Sequence, residues 1–185
     1  MPAGRDPDDY DRARRRVLWS LPTGLYVVGS RSGDRRNLMT CSWIMQVATS
    51  PKLVAVAIER SSLTWQLVEE SGWFSISALD RADRALVRRF VKPADDVELD
   101  DHGRAVAIGG TAVTETLGGV PRLRAARAWL ACTRRASGVA DDDSVSHRLV
   151  VGEVVDVGGP VADDPGGAGR PEVLRMEDTR MNYGG

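Results

Sequence analysis

The 185-residue sequence predicts a mainly β domain closed into a barrel, with two or three helices at its periphery. Three observations point there. Roughly six or seven short β-branched or alternating runs outnumber two or three helical ones. Turn residues recur between those runs at regular spacing. One run, Leu53 to Ile58, is apolar on both parities and needs cover on each face, and closure hides the edges that such a set of strands would otherwise expose.

In chain order, Pro2 to Asp8 reads as a disordered start and Asp9 to Leu21 as a helix, with Val17 and Leu18 its first candidates for burial. Pro22-Thr23-Gly24 breaks it. Leu25 to Gly29 is a first strand, and Ser30 to Arg36 is a hairpin turn around Gly33-Asp34. The next strand carries Leu38, Thr40, Ser42 and Ile44 on one parity and Met39, Cys41, Trp43 and Met45 on the other. Both parities mix apolar and small polar residues, so each face meets protein or ligand. Ser50-Pro51 turns the chain into the buried run Leu53 to Ile58. Ser61 or Ser62 caps a helix that presents Leu63, Leu67 and Val68 inward and ends at Ser71-Gly72. Trp73 to Leu79 alternates as a strand, and Asp80 caps a second helix, Arg81 to Phe90, with Ala82, Leu86 and Phe90 inward. Pro93 to Arg104 is an acidic loop, Ala105 to Val113 holds a short strand, and Gly118 to Pro121 is a break. Arg127 to Thr133 and His147 to Val157 are strands, the latter central to a sheet. Asp163 to Arg170 is a flexible loop.

A formal net charge of −1 offers no electrostatic case for nucleic acid, and Arg12 to Arg16 is read as a solvated helix face. No apolar run is long enough for a membrane span, and the polar N-terminus is unlike a signal peptide. Cys41 and Cys132 stand alone, without the spacing of a zinc site or disulfide framework, so a reducing, cytoplasmic home is expected. Asp141-Asp142-Asp143 is a solvated run and not a metal site.

The chemistry concentrates where the buried strand gives way to a helix at Arg60-Ser61-Ser62-Leu63-Thr64. A helix start carries unpaired amides and the positive end of the dipole, so a cation and three hydroxyls placed there suit a phosphate. The same residues also suit a plain capped helix beside a surface arginine.

Taken together, the chain resembles the flavin reductase-like family, which adopts the FMN-binding split β-barrel, of Greek-key type. The resemblance covers about residues 10 to 158 and rests on ordered matches: Pro22-Thr23-Gly24, Asn37 to Trp43, Ser50-Pro51 with the strand that follows, and Arg60 to Thr64. Further matches are Ser71 to Ile76, Arg88-Arg89-Phe90, Ala128 to Cys132, and His147 leading into Gly152-Glu153-Val154. It implies a split-barrel domain over residues 9–160, after a disordered 1–8 and before a loop and tail, 161–185, that pack on the barrel or a partner subunit. It implies a homodimer holding FMN, with FAD as the alternative, and NADH or NADPH as co-substrate. Met39, Thr40, Cys41, Ser42 and Trp43 would line the ring, Val47 and Ala48 would flank its edge, and Arg60, Ser61, Ser62 and Thr64 would hold the phosphate. His147 would stand near the nicotinamide as the catalytic-side residue, although Val145-Ser146 precede it where the family has Gly-Asp. Apart from the resemblance, Tyr183 near the C-terminus reads either as a contact to the cofactor or the partner subunit or as part of a frayed end.

The activity so implied is an NAD(P)H-dependent flavin reductase feeding reduced flavin to a separate monooxygenase. No GxGxxG fingerprint is present, so nicotinamide would bind over the flavin and not on a Rossmann unit. Two rivals are a split-barrel electron carrier or oxidoreductase acting on another small substrate, and a non-enzymatic flavin- or haem-binding protein.

Overall fold

The computed structural model describes residues 6–135, 144–159 and 172–179. Its principal sheet has seven antiparallel strands: β1 (Tyr26–Ser32), β2 (Arg35–Cys41), β3 (Ile44–Thr49), β4 (Lys52–Glu59), β5 (Trp73–Ala78), β10 (Ala128–Arg135) and β11 (His147–Gly158). They lie in the order β2-β1-β5-β10-β11-β4-β3. β2 and β3 are the two edges, and the barrel is split between them. Asn37 to Met45, read as one strand, is divided at this gap: β2 ends at Cys41, and the Trp43 carbonyl instead accepts the Ala57 amide of β4 at 3.1 Å. β11 is flanked by β10 and β4, the central position its β-branched composition predicts.

A second sheet runs β6-β7-β8-β9. It is built from segments that carry weak local signals: β6 (Val97–Leu99), β7 (Ala105–Ile108), β8 (Thr111–Glu115) and β9 (Pro121–Leu123). The expected loop over 93–104 therefore contains a strand. The single expected strand over 105–113 is a hairpin turning on Gly109 and Gly110, both at positive φ, and the expected break at Pro121 begins β9. β9 crosses β1 and β5 closely. Ser75 Oγ donates to the Pro121 carbonyl at 2.6 Å, and Ser77 Oγ accepts the Leu123 amide at 3.1 Å. Gly29 permits this approach, since a Cβ there would stand 1.8 Å from the Pro121 carbonyl oxygen.

Two helices accompany the sheets. α1 (Pro7–Trp19) begins earlier than composition suggests, because the Asp6 carboxylate caps it by accepting the Asp8 and Asp9 amides at 3.0 and 3.2 Å. No residue of α1 is buried. Val17 and Leu18, expected inward, are 67% and 57% exposed. α2 (Leu63–Ser71) is capped by Ser62 and ends at Gly72 with φ 74°, as its sequence predicts. The helix expected over 81–90 is instead two 3-10 turns, Arg81–Asp83 and Leu86–Phe90. Three residues per turn bring Val87 and Phe90 inward in place of Ala82, which is exposed.

Two cores result. Val27, Leu38, Leu79, Val87, Phe90 and Leu123 pack between the sheets. Val28, Val56, Ile58, Phe74, Cys132 and Val150 fill the barrel, joined by Trp65 and Val68 of α2. α2 thus plugs the end of the barrel where β4 finishes and β5 starts. Residues 172–179 return to the barrel, where buried Leu174 accepts the Leu25 amide and donates its own to Leu79. The expected flexible loop over 163–170, Asp141–Asp143 and Tyr183 fall outside the described residues. Among the described residues no helix is long and apolar enough to cross a membrane, and no group of His, Cys, Asp and Glu is placed to hold a metal ion.

Candidate functional site

The site is assembled at the end of β4. β4 and β11 pair antiparallel with His147 opposite Glu59, so the first residue of β11 lies beside the last residue of β4. The Arg60 amide donates to the Ser146 carbonyl at 3.0 Å, which holds the chain leaving β4 against the chain entering β11. The half-buried His147 ring packs edge-on to Trp43, with centroids 4.9 Å apart and an interplanar angle of 61°. Its Nδ1 lies 2.8 Å from Ser146 Oγ. Trp43 is 41% exposed. One corner therefore gathers an open indole face, an imidazole, the partly buried Arg60 and the start of α2.

Electrostatically the corner favours an anion. Ser62 Oγ accepts the Trp65 amide at 3.1 Å, and the earlier amides of the first turn have no carbonyl within the helix to serve them. The dipole and the adjacent Arg60 charge add positive potential at this turn, opposed in part by the Glu59 carboxylate. The exposed Ser61 hydroxyl donates to the Glu59 carboxylate at 3.1 Å, so an anion recruits it only by exchange for that bond. This donor set fits a phosphate ester.

The expected residues separate into those that face this corner and those that do not. Arg60, Ser61, Ser62, Trp43 and His147 gather there. Thr64 does not present its hydroxyl: it is fully buried, and Oγ1 accepts Asn37 Nδ2 at 2.9 Å, tying α2 to β2. The three hydroxyls expected to converge are therefore one exposed hydroxyl, one helix cap and one buried tie. Thr40 is likewise fully buried, and its Oγ1 donates to the Val87 carbonyl at 2.5 Å, directed into the inter-sheet core. Met39 is half-buried against the barrel core, and Ser42 is buried where β2 gives way to the crossing. Val47 and Ala48 lie along β3 towards the hairpin, where Ala48 pairs with Leu53 at the opposite end of β4 from Arg60.

Neither cysteine is poised as a nucleophile. Burial pushes the Cys41 thiol from 9.0 up to about 11, against a smaller opposing contribution from the Trp43 backbone. It pushes Cys132 up to about 12. Two residues escaped the sequence reading. Arg148 stacks its guanidinium 4.7 Å above the Trp65 ring, and Arg134 lies 5.9 Å from the same ring. The available signal was parity: Arg148 alternates in step with Val150 and Gly152, the inward residues of β11.

Residues 18–173 match the family model described as the flavin reductase like domain. Among curated relatives, a flavin reductase (NADH) from Kitasatospora aureofaciens is 31% identical over 150 residues, spanning 80% of this chain and 72% of its own. The reductase component of 4-hydroxyphenylacetate 3-monooxygenase from Thermus thermophilus is 26% identical over 146 residues, 78% of this chain and 83% of its own. Among solved structures, the NADH:FAD oxidoreductase of Streptomyces globisporus superposes with a TM-score of 0.68 at 22% identity, covering 97% of this chain and 95% of its own. Nitrilotriacetate monooxygenase component B from Mycobacterium thermoresistibile gives 0.69 at 20%, covering 92% and 89%. These two likenesses establish the split-barrel fold.

Proposed function

We infer, from the premise that this chain belongs to the flavin reductase like family, that it is an NAD(P)H-dependent flavin reductase supplying reduced flavin to a separate monooxygenase. The convergence of Arg60, the α2 start and the Trp43–His147 pair carries the reading, because it offers a phosphate grip beside an open aromatic surface. The flavin, FMN in this reading, supplies the redox chemistry when bound, accepting hydride from reduced nicotinamide. The protein's work is then placement. Arg60, Ser61 and the first-turn amides of α2 hold the phosphate. The backbone from Met39 through Trp43, made approachable by the small Cys41 and Ser42, lies along the ring. Amides there would stabilise negative charge on the reduced ring, as preorganised donors do in an oxyanion hole. His147, steadied by Ser146 and Trp43, borders the space left for nicotinamide. The Thr40 and Thr64 hydroxyls act on the scaffold.

A homodimer belongs to the same reading. Trp43, Met45 and Val47 lie exposed on or beside β3, and Leu149 lies exposed on β11 opposite Ala57 of β4. Together they form an apolar face of the kind that marks a subunit contact. Val47 and Ala48, remote from the corner within one chain, would border a partner's site across such a contact.

Mixing purified protein with NADH or NADPH and a large excess of free FMN tests the function. Continuous oxidation of the nicotinamide with turnover of the added flavin is expected. A single stoichiometric reduction that then stops would make the protein an electron carrier, and no reduction under anaerobic conditions would make it a binding protein.

A further inference from the structure

α2 plugs one end of the barrel, and the other end lies where β4 starts. There a cavity of about 380 Å³ is walled by Tyr26, Ile44, Val54, Ile76, Leu130 and Val154. All six belong to the barrel core or pack against it, so the cavity continues the lumen into solvent. Among the described residues, Lys52 is the one charged residue that lines it. We propose that this mouth is a second ligand site, separate from the Arg60 corner, for a small flat apolar molecule carrying one negative charge, such as an aromatic carboxylate or sulfonate.

The volume lies within the range of about 300–1,000 Å³ that small-molecule sites occupy. Contiguous strands curving round the barrel wall it: β3, β4, β11, β10 and β5, with Tyr26 of β1. The Tyr26 and Trp129 rings among its lining favour an aromatic occupant. Lys52 opens β4 at the hairpin end of the cavity, where its aliphatic stem can follow the apolar wall while its ammonium group stays at the rim. An ammonium group at the rim of an apolar cavity favours an anion over a cation, and Arg122, stacked 4.7 Å from the Trp129 ring, adds positive charge beside the lining. A phosphate held at the Arg60 corner does not meet the Lys52 charge. Lys52 precedes Arg60 by eight residues along β4, roughly 25 Å at the rise of an extended strand, a span that a ribityl arm does not bridge.

The probe is anilinonaphthalene sulfonate, an aromatic monoanion whose fluorescence rises in apolar surroundings, titrated into the full chain with and without excess FMN. One dye per chain is expected to bind saturably and to remain bound when FMN is added. Lys52→Glu should weaken it about tenfold or more through reversal of the rim charge, Lys52→Arg should retain it, and Ala78→Phe should exclude it by filling the cavity. Arg60→Ala should leave dye affinity unchanged. Dye affinity indifferent to both Lys52→Glu and Ala78→Phe would overturn the proposal. Displacement of the dye by FMN would overturn it by making the mouth part of the flavin site, and dye uptake that falls as protein concentration rises would do so by showing that a second copy covers the mouth. Failure of flavin turnover with dye binding as expected would remove the reductase reading and leave this one standing.

Discussion

Arg60→Ala removes the side chain on which the phosphate assignment rests, and its effect can be worked out group by group. Three kinds of donor are available at the start of α2: the Arg60 guanidinium, the first-turn amides and the Ser61 hydroxyl. The amides survive every side-chain substitution. The Ser61 hydroxyl already donates to Glu59, so binding a phosphate exchanges one charge-assisted bond for another, and Ser61→Ala should cost less than about 0.5 kcal/mol. Arg60 is half-buried, where a charge-assisted contact to a dianion is worth more than at a fully exposed position. Its loss should cost about 2 kcal/mol, close to a thirtyfold rise in the FMN dissociation constant at about 1.4 kcal/mol per tenfold. The assay is fluorescence quenching on titration with FMN, repeated with riboflavin, which keeps the ring and ribityl arm and lacks the phosphate. The loss should be confined to FMN, and it should shrink as salt is raised. An equal loss for riboflavin, or none for FMN, would refute the phosphate assignment.

Thr40→Val leaves the buried Val87 carbonyl without the hydroxyl that serves it; urea unfolding should show a loss of about 1–2 kcal/mol while FMN affinity stays at the wild-type value. His147→Ala removes a ring that packs on Trp43 without entering the proposed phosphate grip, so kcat should fall while FMN affinity changes little, and unchanged turnover would leave the histidine a loop-end residue. Gly29→Ala drives a methyl group against the Pro121 carbonyl, which as backbone cannot swing aside; separation of β9 from β1 should cost about 3 kcal/mol and lower Tm by roughly 6–12 °C for a chain of this size. Cys41 and Cys132 keep their protons in the fold to about pH 11 and 12, whereas the unfolded thiols ionise near 9.0. Their contribution is complete below pH 9 and is lost as pH rises towards the folded values, on the order of 3 kcal/mol for Cys41 by pH 11, so Cys41→Ala should flatten the alkaline limb of a stability-against-pH curve measured by chemical denaturation.

The parts of this fold that were legible in the sequence are those where local pattern and tertiary demand agree. β4 is apolar on both parities, with Val54, Val56 and Ile58 in the barrel core and the small Ala55 and Ala57 on the other face flanked by β3 and β11, and α2 carries its own cap in Ser62 and its own stop in Gly72. β6 to β9 were not legible, because three- to five-residue strands carry almost no periodicity. They are strands by virtue of what covers them: Ser75 and Ser77 bind β9 from the far sheet, and nothing near Pro121 in sequence announces that. The 3-10 turns failed for a related reason, since Leu86 to Phe90 is too short for periods of 3.0 and 3.6 to diverge before the chain turns away.

At the candidate site, the residue types were legible and their directions were not. Thr40 and Thr64 are small hydroxyl residues beside the right motifs, yet each hydroxyl is committed to a neighbour distant in sequence, 47 residues away for Thr40 and 27 for Thr64. Arg60 and His147 are far apart in the chain and are joined only through the β4–β11 register. That register makes the site depend on the barrel. A slip of one residue between β4 and β11 would turn His147 to the other face of the sheet and move Ser146 away from the Arg60 amide. α2 is tied to the same arrangement from its other side, because Trp65 packs into the barrel from the first turn, whose amides are the proposed phosphate donors. Core substitutions beneath Trp65 should therefore loosen FMN before they unfold the protein, which is the behaviour of a grip built on the plug of the barrel and not on a free loop.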